Sequence, residues 1–340
     1  MYHARFKGTH YEAGRRFGEA LRTHGHVITG SPTFAITDGL DAFARECLPL
    51  YEKHFPEVVS ELQGMADGQG TPFETLCGIV FNIYCVRPQN HCTCFALTDD
   101  AGGILFGRNS DFLVSLEKLN TNCLYRLDGS YAFNGNTTAF VQMEDGVNER
   151  GLAAGLTFIY PRVVKPGLNA GMLVRYILEK CETTAQAVDA LKTLPIASEQ
   201  TVTLADKTGD IAVVECNPEA FEIIRPERGR SFVASANNFV SQTMRSFRAP
   251  EYVDTWRADE RYAVARAALE GNKDGCSVDF ARGLLSGKYG FMCQYDRKNN
   301  ADTVWSVIYD IKNGRVLRAE GNPSRRRFAE DARMAFSAGG

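Results

Sequence analysis

Near residue 91 the apolar pattern changes its period, and that switch limits what this chain can fold into more than any other feature. Upstream, Phe43, Cys47, Leu50, Tyr51, Phe55, Val58, Val59 and Leu62 recur at helical spacing across residues 42–65. A break is expected at Pro56, because proline lacks the N–H that a helix interior needs. Thr9 with Glu12, and Thr71 with Pro72 and Glu74, read as capping boxes at two helix starts. The first 91 residues therefore read as helical. From Cys92 onward the alternation has period two: CTCFALT, a DDAGG turn and ILFG predict a hairpin, with Gly102 and Gly103 supplying the backbone freedom of the turn.

Strand and turn pairs continue downstream as TAFVQM, EDGVNERG and LAAGLTF, then TVTLAD, KTGD and IAVVEC. FEIIRP, SFVAS, TVWSVIYD and RVLRAEG complete the strands, while helices are predicted over residues 171–181, 184–194, 257–269 and 278–285. Many antiparallel strands joined by tight turns, with helix pairs inserted between them, predict an α+β fold of stacked sheets covered by helices on both outer faces.

Composition narrows the function. A formal charge of -3 over 340 residues gives no basic excess, so nucleic acid and anionic membranes are poor partners and a small molecule is the better one. The start MYHARFKGTHYEAG lacks an apolar run behind a basic head, and no stretch approaches a membrane span, so a cytoplasmic protein is expected. Ten cysteines are too dilute for a disulfide scaffold and are expected to be reduced and buried. Only Cys92 and Cys94 are closely spaced, with no second pair to complete a zinc site. No metal and no cofactor are assigned, and the sequence leaves a homo-oligomer open.

All six histidines (His3, His10, His24, His26, His54 and His91) precede Cys92. The strand-rich part thus lacks the imidazole that a conventional cysteine or serine hydrolase places beside its nucleophile. One nucleophile needs no imidazole: a Cys at a free amino terminus, whose own amine titrates near ~8 and can take the thiol proton. Cys92 would become such a residue after cleavage between His91 and Cys92. Arg108, Asn109 and Asp111 follow on the paired strand, with Asn109 and Asp111 projecting together and Arg108 to the opposite face.

Cys92-Thr93, the DDAGG turn and GRNSDF resemble the amino-terminal signature of the choloylglycine hydrolase and penicillin V acylase superfamily, with Arg108 and Asp111 at that family's spacing from the nucleophile. The likeness runs on through DGVNERGLAAGLTF, LADKTGDIAVVEC and ASANNF, and more loosely through ADERYAVAR and WSVIYD. KGTHYEAGRRFGEAL near the start is similar to the small subunit of the self-processing acyl-coenzyme A:6-aminopenicillanate acyltransferase branch. The resemblance implies a four-layer αββα N-terminal-nucleophile fold, with residues 1–91 a helical prosegment retained as a small chain and residues 92–340 the catalytic core. It implies that Cys92 is the nucleophile and its amine the base, that Asp111 orients the amine, and that Arg108 meets thiolate and substrate. Asn237 matches the oxyanion asparagine and Arg261 the late arginine. Thr157 stands where bile salt hydrolases carry Asn and penicillin V acylases Tyr, which argues against bile salts; its backbone remains a candidate donor.

The reading is a self-processing cysteine amidohydrolase acting on linear, non-peptide amides through an acyl-enzyme. One alternative is an acyltransferase that passes the acyl group to an amine. The other is an inactive binding protein on the same fold.

Overall fold

The computed structural model describes residues 1–28, 38–86, 91–334 and 336. In chain order the elements are β1 (Tyr2–Gly8), α1 (His10–Thr23), α2 (Asp38–His54), α3 (Pro56–Gln69), α4 (Phe73–Asn82), β2 (His91–Thr98), β3 (Ile104–Leu113), β4 (Thr121–Leu127), β5 (Phe133–Thr137), β6 (Asp145–Asn148) and β7 (Ala153–Phe158). After these come α5 (Ala170–Lys180), α6 (Thr184–Thr193), β8 (Gln200–Ala205), β9 (Ile211–Cys216), β10 (Phe221–Ile224), β11 (Phe232–Ser235), α7 (Ala258–Glu270), α8 (Val278–Leu285), β12 (Ala301–Asp310), β13 (Arg315–Ala319) and β14 (Ala329–Glu330).

The strands form an eight-stranded sheet, in the order β1-β4-β5-β6-β7-β8-β9-β10, and a six-stranded sheet, β11-β2-β3-β12-β13-β14. The alternation along β2 shows how they stack. Cys94 and Ala96 pack between the sheets with Phe106, Val147, Ala153, Val213 and Val307, whereas Phe95 and Leu97 face outward onto Ala265 of α7 and Leu284 of α8. The other sheet buries Tyr125, Ala154, Leu156 and Val202 under α1 to α6. Helices, sheet, sheet and helices make four layers, the αββα arrangement expected.

Several local expectations are met. Thr9 and Glu12 form a reciprocal capping box, and Pro56 opens α3 at its first turn after α2 ends at His54. The β2–β3 hairpin turns through Gly102 at φ +76°. The ten cysteines are free, all but Cys276 of them buried.

Other expectations are corrected. The first 91 residues are not all helical, because Tyr2–Gly8 is an edge strand pairing parallel with β4; only Ala4 and Phe6 of it are buried, too few to announce a strand. The Thr71 box does not form. Helix α4 begins one residue later, Pro72 is its cap, and the Thr71 hydroxyl has no partner among the described residues. TAFVQM is not a strand, since Val141 and Met143 pack into the helical layer. The strands flanking it are FNGNT and DGVN, in which Phe133 and Val147 join the apolar core while Asn136 and Asp145 are buried in the polar network around Arg108.

Helices α1 and α3 meet backbone to backbone through Gly14 and Gly18 on one and Gly64 and Gly68 on the other. A Cβ at Gly14 would lie 1.9 Å from the Glu61 carbonyl oxygen, and one at Gly64 2.1 Å from that of Tyr11. This approach is what sets Glu61 deep under the sheet. Gly64→Ala is expected to cost about 3 kcal/mol or more, because the obstructing atoms are backbone and cannot swing aside. Gly39→Ala, on the first turn of α2 with open space around it, should instead gain up to about 1 kcal/mol of helix propensity. Denaturant midpoints of the two variants check the opposite signs.

Candidate active site

The β2–β3 register decides which groups meet. His91 stands opposite Asp111, Cys92 opposite Ser110 and Cys94 opposite Arg108. Paired residues share a face, so Cys92, Arg108 and Ser110 point between the sheets, and His91, Thr93 and Asp111 point outward toward α7.

Between the sheets, the Arg108 guanidinium donates to Cys92 Sγ at 2.7 Å. Its other donors reach Asp145 Oδ2 at 2.8 Å, Glu144 Oε2 at 3.3 Å and the Leu156 carbonyl at 3.1 Å, and it lies over the Trp305 ring. Gly155 makes this possible: a Cβ there would come within 3.1 Å of Arg108 Cδ. Asp145 also accepts from Asn136, Trp305 Nε1 and the Tyr309 hydroxyl. Arg108, Glu144 and Asp145 are all fully buried. Burial pushes the Cys92 thiol far up from its ordinary range; Arg108 opposes that shift and Glu144 adds to it. Cys92 is therefore a thiol, held against a fixed cation.

On the outward side, β2 runs unbroken through His91 and Cys92. The Cys92 N–H, which belongs to the 91–92 peptide bond, donates to Asn237 Oδ1 at 2.8 Å. Arg261 donates to the same oxygen at 2.8 Å, to the Cys92 carbonyl at 2.6 Å and to Thr93 Oγ1 at 2.8 Å. Two donors on one oxygen fix which way the Asn237 amide faces; its Nδ2 donates to the Phe158 carbonyl at 2.7 Å. Thr157 supports this segment from below, its hydroxyl donating to the Ala236 carbonyl at 2.8 Å and meeting Thr201 Oγ1 at 2.5 Å. Asn238 turns away, to Asp259 and Arg248.

Asp111 accepts from Thr303 Oγ1 at 2.5 Å and from the Tyr295 hydroxyl at 3.0 Å, and lies 3.7 Å from Arg261. Burial pushes its carboxyl up to about 6, against the pull of Arg261 and the two hydroxyls. His91, across the ladder, is 7% exposed and stacks on Trp256 with ring centres 4.4 Å apart and planes 20° apart. Burial, with Arg261 nearby, holds it well below the usual imidazole range, so it is neutral.

All seven residues singled out from the sequence, His91, Cys92, Arg108, Asp111, Thr157, Asn237 and Arg261, thus lie in one region. Their supports carried no signal of their own. Glu144, Asp145, Tyr295, Thr303 and Trp305 come from distant strands and loops, and only the sheet stacking brings them in. Elsewhere, His10, Glu61 and Glu179 have ligand atoms close enough together to hold a cation. That place is taken by the Arg175 guanidinium, which donates to Glu61 at 2.8 Å and to Glu179.

Asp111 gives a pH test. Its folded value lies above the unfolded one of 3.8, so its contribution to stability is complete below about pH 4 and is lost as pH rises through about 6. In an uncut Cys92→Ala background, adding Asp111→Asn should become relatively more stabilising from pH 4 to 7, by about 3 kcal/mol. Denaturation curves at a series of pH values check this, and a flat difference would mean that Asp111 is not displaced.

A family model described as acyl-coenzyme A:6-aminopenicillanic acid acyl-transferase matches residues 97–325, more than half of the chain. Among solved structures, a variant of the conjugated bile acid hydrolase of Clostridium perfringens superposes with a TM-score of 0.51 at 14% identity, covering 73% of this chain and 98% of that one. An N-acylethanolamine-hydrolyzing acid amidase ortholog of Caenorhabditis elegans gives 0.49 at 19% identity, over 65% and 93% of the two chains. Penicillin V acylase of Agrobacterium tumefaciens gives 0.46 at 18% identity, over 67% and 83%. No curated protein matches the sequence. With two stacked sheets between helical layers and a family match over most of the strand-rich part, this chain belongs to the acyl-coenzyme A:6-aminopenicillanic acid acyl-transferase family.

Proposed function

We propose that the chain is a self-processing N-terminal-nucleophile amide hydrolase that works through an acyl-enzyme on Cys92. The observation that carries this reading is the arrangement around one residue: Arg108 on its thiol at 2.7 Å and Asn237 on its peptide nitrogen at 2.8 Å. A nucleophile and the nitrogen it would release are each held by a buried partner. The hydrolase activity named for the conjugated bile acid hydrolase that superposes with a TM-score of 0.51 supports the same class of chemistry.

In processing, Cys92 Sγ attacks the His91 carbonyl carbon, the C–N bond breaks, and the thiol proton ends on the nitrogen, leaving a thioester. Water then cleaves the thioester to a His91 carboxylate and a free Cys92 thiol. Removing His91 uncovers Asp111, whose nearest new partner is the Cys92 ammonium. In turnover the amine takes the thiol proton, the thiolate adds to the substrate carbonyl, and the amine returns that proton to the departing nitrogen. Water resolves the acyl-enzyme. Arg108 holds the thiolate, and Asn237 with backbone amides serves the oxyanion.

Residues 1–91 stay attached in this reading. β1 is the edge strand of the larger sheet, paired with β4 along its whole length. Arg175 of α5 bonds Glu61 of α3, and His10 of α1 bonds Glu179 at 3.0 Å. A small-molecule amide is the partner. The acyltransferase reading is favoured by the activity for which the family is named; it differs only in letting an amine rather than water reach the thioester.

Intact mass under denaturing conditions should give pieces of about 10 and about 27 kDa from the 37.6 kDa chain. Cys92→Ala should stay whole, and an active protein with an intact 91–92 bond would sink the amine as base. Released amine from a panel of N-acyl amino acids, penicillin V, conjugated bile salts and β-alanyl amines, with and without a competing amine acceptor, tests turnover and separates hydrolysis from transfer.

Asn237→Ala should lower turnover of the cleaved enzyme by roughly two to three orders of magnitude, the cost of one oxyanion donor. Asn238→Ala, whose side chain is engaged by Asp259 and Arg248, should do far less. Rate measurements on both cleaved variants check the contrast.

A further inference from the structure

The thioester of processing and the acyl-enzyme of turnover share their geometry. In both, one acyl carbon is bonded to Cys92 Sγ inside the same set of buried donors. Whatever is attached to that carbon must therefore extend into the same space. In the uncut chain the acyl carbon is the His91 carbonyl, and its side chain marks where the space leads.

The His91 ring lies flat against Trp256, with planes 20° apart. Tyr295 stands 5.3 Å from Trp256, and Phe291 stands 5.2 Å from Tyr295. The ring is buried, yet Nδ1 has no hydrogen-bond partner among the described residues. Its surroundings, with Asp111 across the ladder and Arg261 nearby, supply a stacking face but leave this nitrogen unserved, so a flat ring that needs no hydrogen bond there loses nothing by taking its place. Trp256 is also held in place by its backbone. Trp256 and Arg257 adopt φ of +52° and +59°, a left-handed pair of non-glycine residues, and the Trp256 carbonyl accepts from Arg261 Nε at 2.9 Å. Strain of this kind persists only where the surroundings hold it.

Resting on the proposed function, we infer that the pocket occupied by the His91 ring becomes the acyl subsite of the cleaved enzyme, with Trp256 as its specificity-determining wall. The ligand class follows from covalent geometry. In His91 two carbons separate the carbonyl from the ring, so the subsite takes neutral, planar rings joined to the carbonyl through a two-atom spacer, as in 3-arylpropanoyl amides. Each uncut chain carries an imprint of this acyl group and blocks its own subsite until it is cleaved.

Binding separates this inference from the reading beneath it. Calorimetry would titrate 3-phenylpropanoate, 3-cyclohexylpropanoate and octanoate into the cleaved protein and into uncut Cys92→Ala. The cleaved protein should bind the phenyl acid roughly tenfold more tightly than the cyclohexyl acid, which has the same length but no flat face. The uncut chain should bind neither. Trp256→Phe should keep the preference and Trp256→Leu lose it, in variants whose two-chain mass and thermal unfolding show that they fold and process. In parallel, kcat/KM for coumarin amides should peak at 3-phenylpropanoyl over phenylacetyl and 4-phenylbutanoyl. Equal binding by cut and uncut protein, or a preference unchanged in Trp256→Leu, overturns the subsite. Selective binding of the phenyl acid with every amide left intact would uphold the subsite and overturn the hydrolase reading. Turnover without any aryl preference would do the reverse.

Discussion

A guanidinium buried between two sheets is the constraint on which this molecule depends. Arg108 has no water to solvate it, so its charge must be met by protein, and Glu144 and Asp145 do so from the facing sheet. Breaking a pair of this kind strands a charge in the interior, at a cost of order 3–5 kcal/mol. Arg108 is on β3 and the two acids are on or beside β6, so the pair ties the sheets together at one register. Trp305 and Tyr309 of β12 bond the same Asp145 and extend the tie to the next strand. Cys92 enters this network as one more acceptor. Its position is set by the packing of the whole core.

A second buried guanidinium works in the helical layer. Arg175 is enclosed by Glu61, Glu179 and the Val141 carbonyl and lies 3.9 Å from the centre of the Tyr125 ring. Glu61 reaches it because α1 and α3 pack at backbone distance through their glycines, and Tyr125 donates to Glu61 from β4. The two networks have different tasks. One joins sheet to sheet around the thiol; the other joins the segment before Cys92 to the segment after it.

The outward face of β2 is built for change. His91 stacks on Trp256 and stands opposite Asp111 in the ladder, and burial raises that carboxyl against the pull of Arg261. In the proposed maturation the same Asp111, which already has Arg261 at 3.7 Å, gains a second positive charge in the Cys92 ammonium, while Arg261 and Asn237 keep their hold on Cys92. A buried carboxylate with one cation nearby before cleavage would then have two after it, which gives the cut state an electrostatic advantage independent of any new packing.

Much of this was legible in the residues. The change of period at Cys92, the Thr9 and Glu12 box and the DDAGG turn are local effects, because helix caps, tight turns and alternation depend on neighbours in sequence. The six histidines all preceding Cys92 pointed away from an imidazole base by simple order along the chain. What could not be read was anything paid for at a distance. β1 has two buried side chains and exists because β4 offers it an edge; β6 is a strand whose Asp145 is buried for the sake of Arg108, so it shows no apolar alternation. The place of Asp111 beside His91, the acid pair on Arg108 and the stack of Trp256 on His91 come from residues up to 165 positions from His91 that meet only when the sheets stack. Local pattern determined which segments could be strands and helices and singled out Cys92 as the proposed nucleophile. Only the tertiary structure decided its electrostatic surroundings, because buried charges choose partners by proximity in space and leave no period in the sequence.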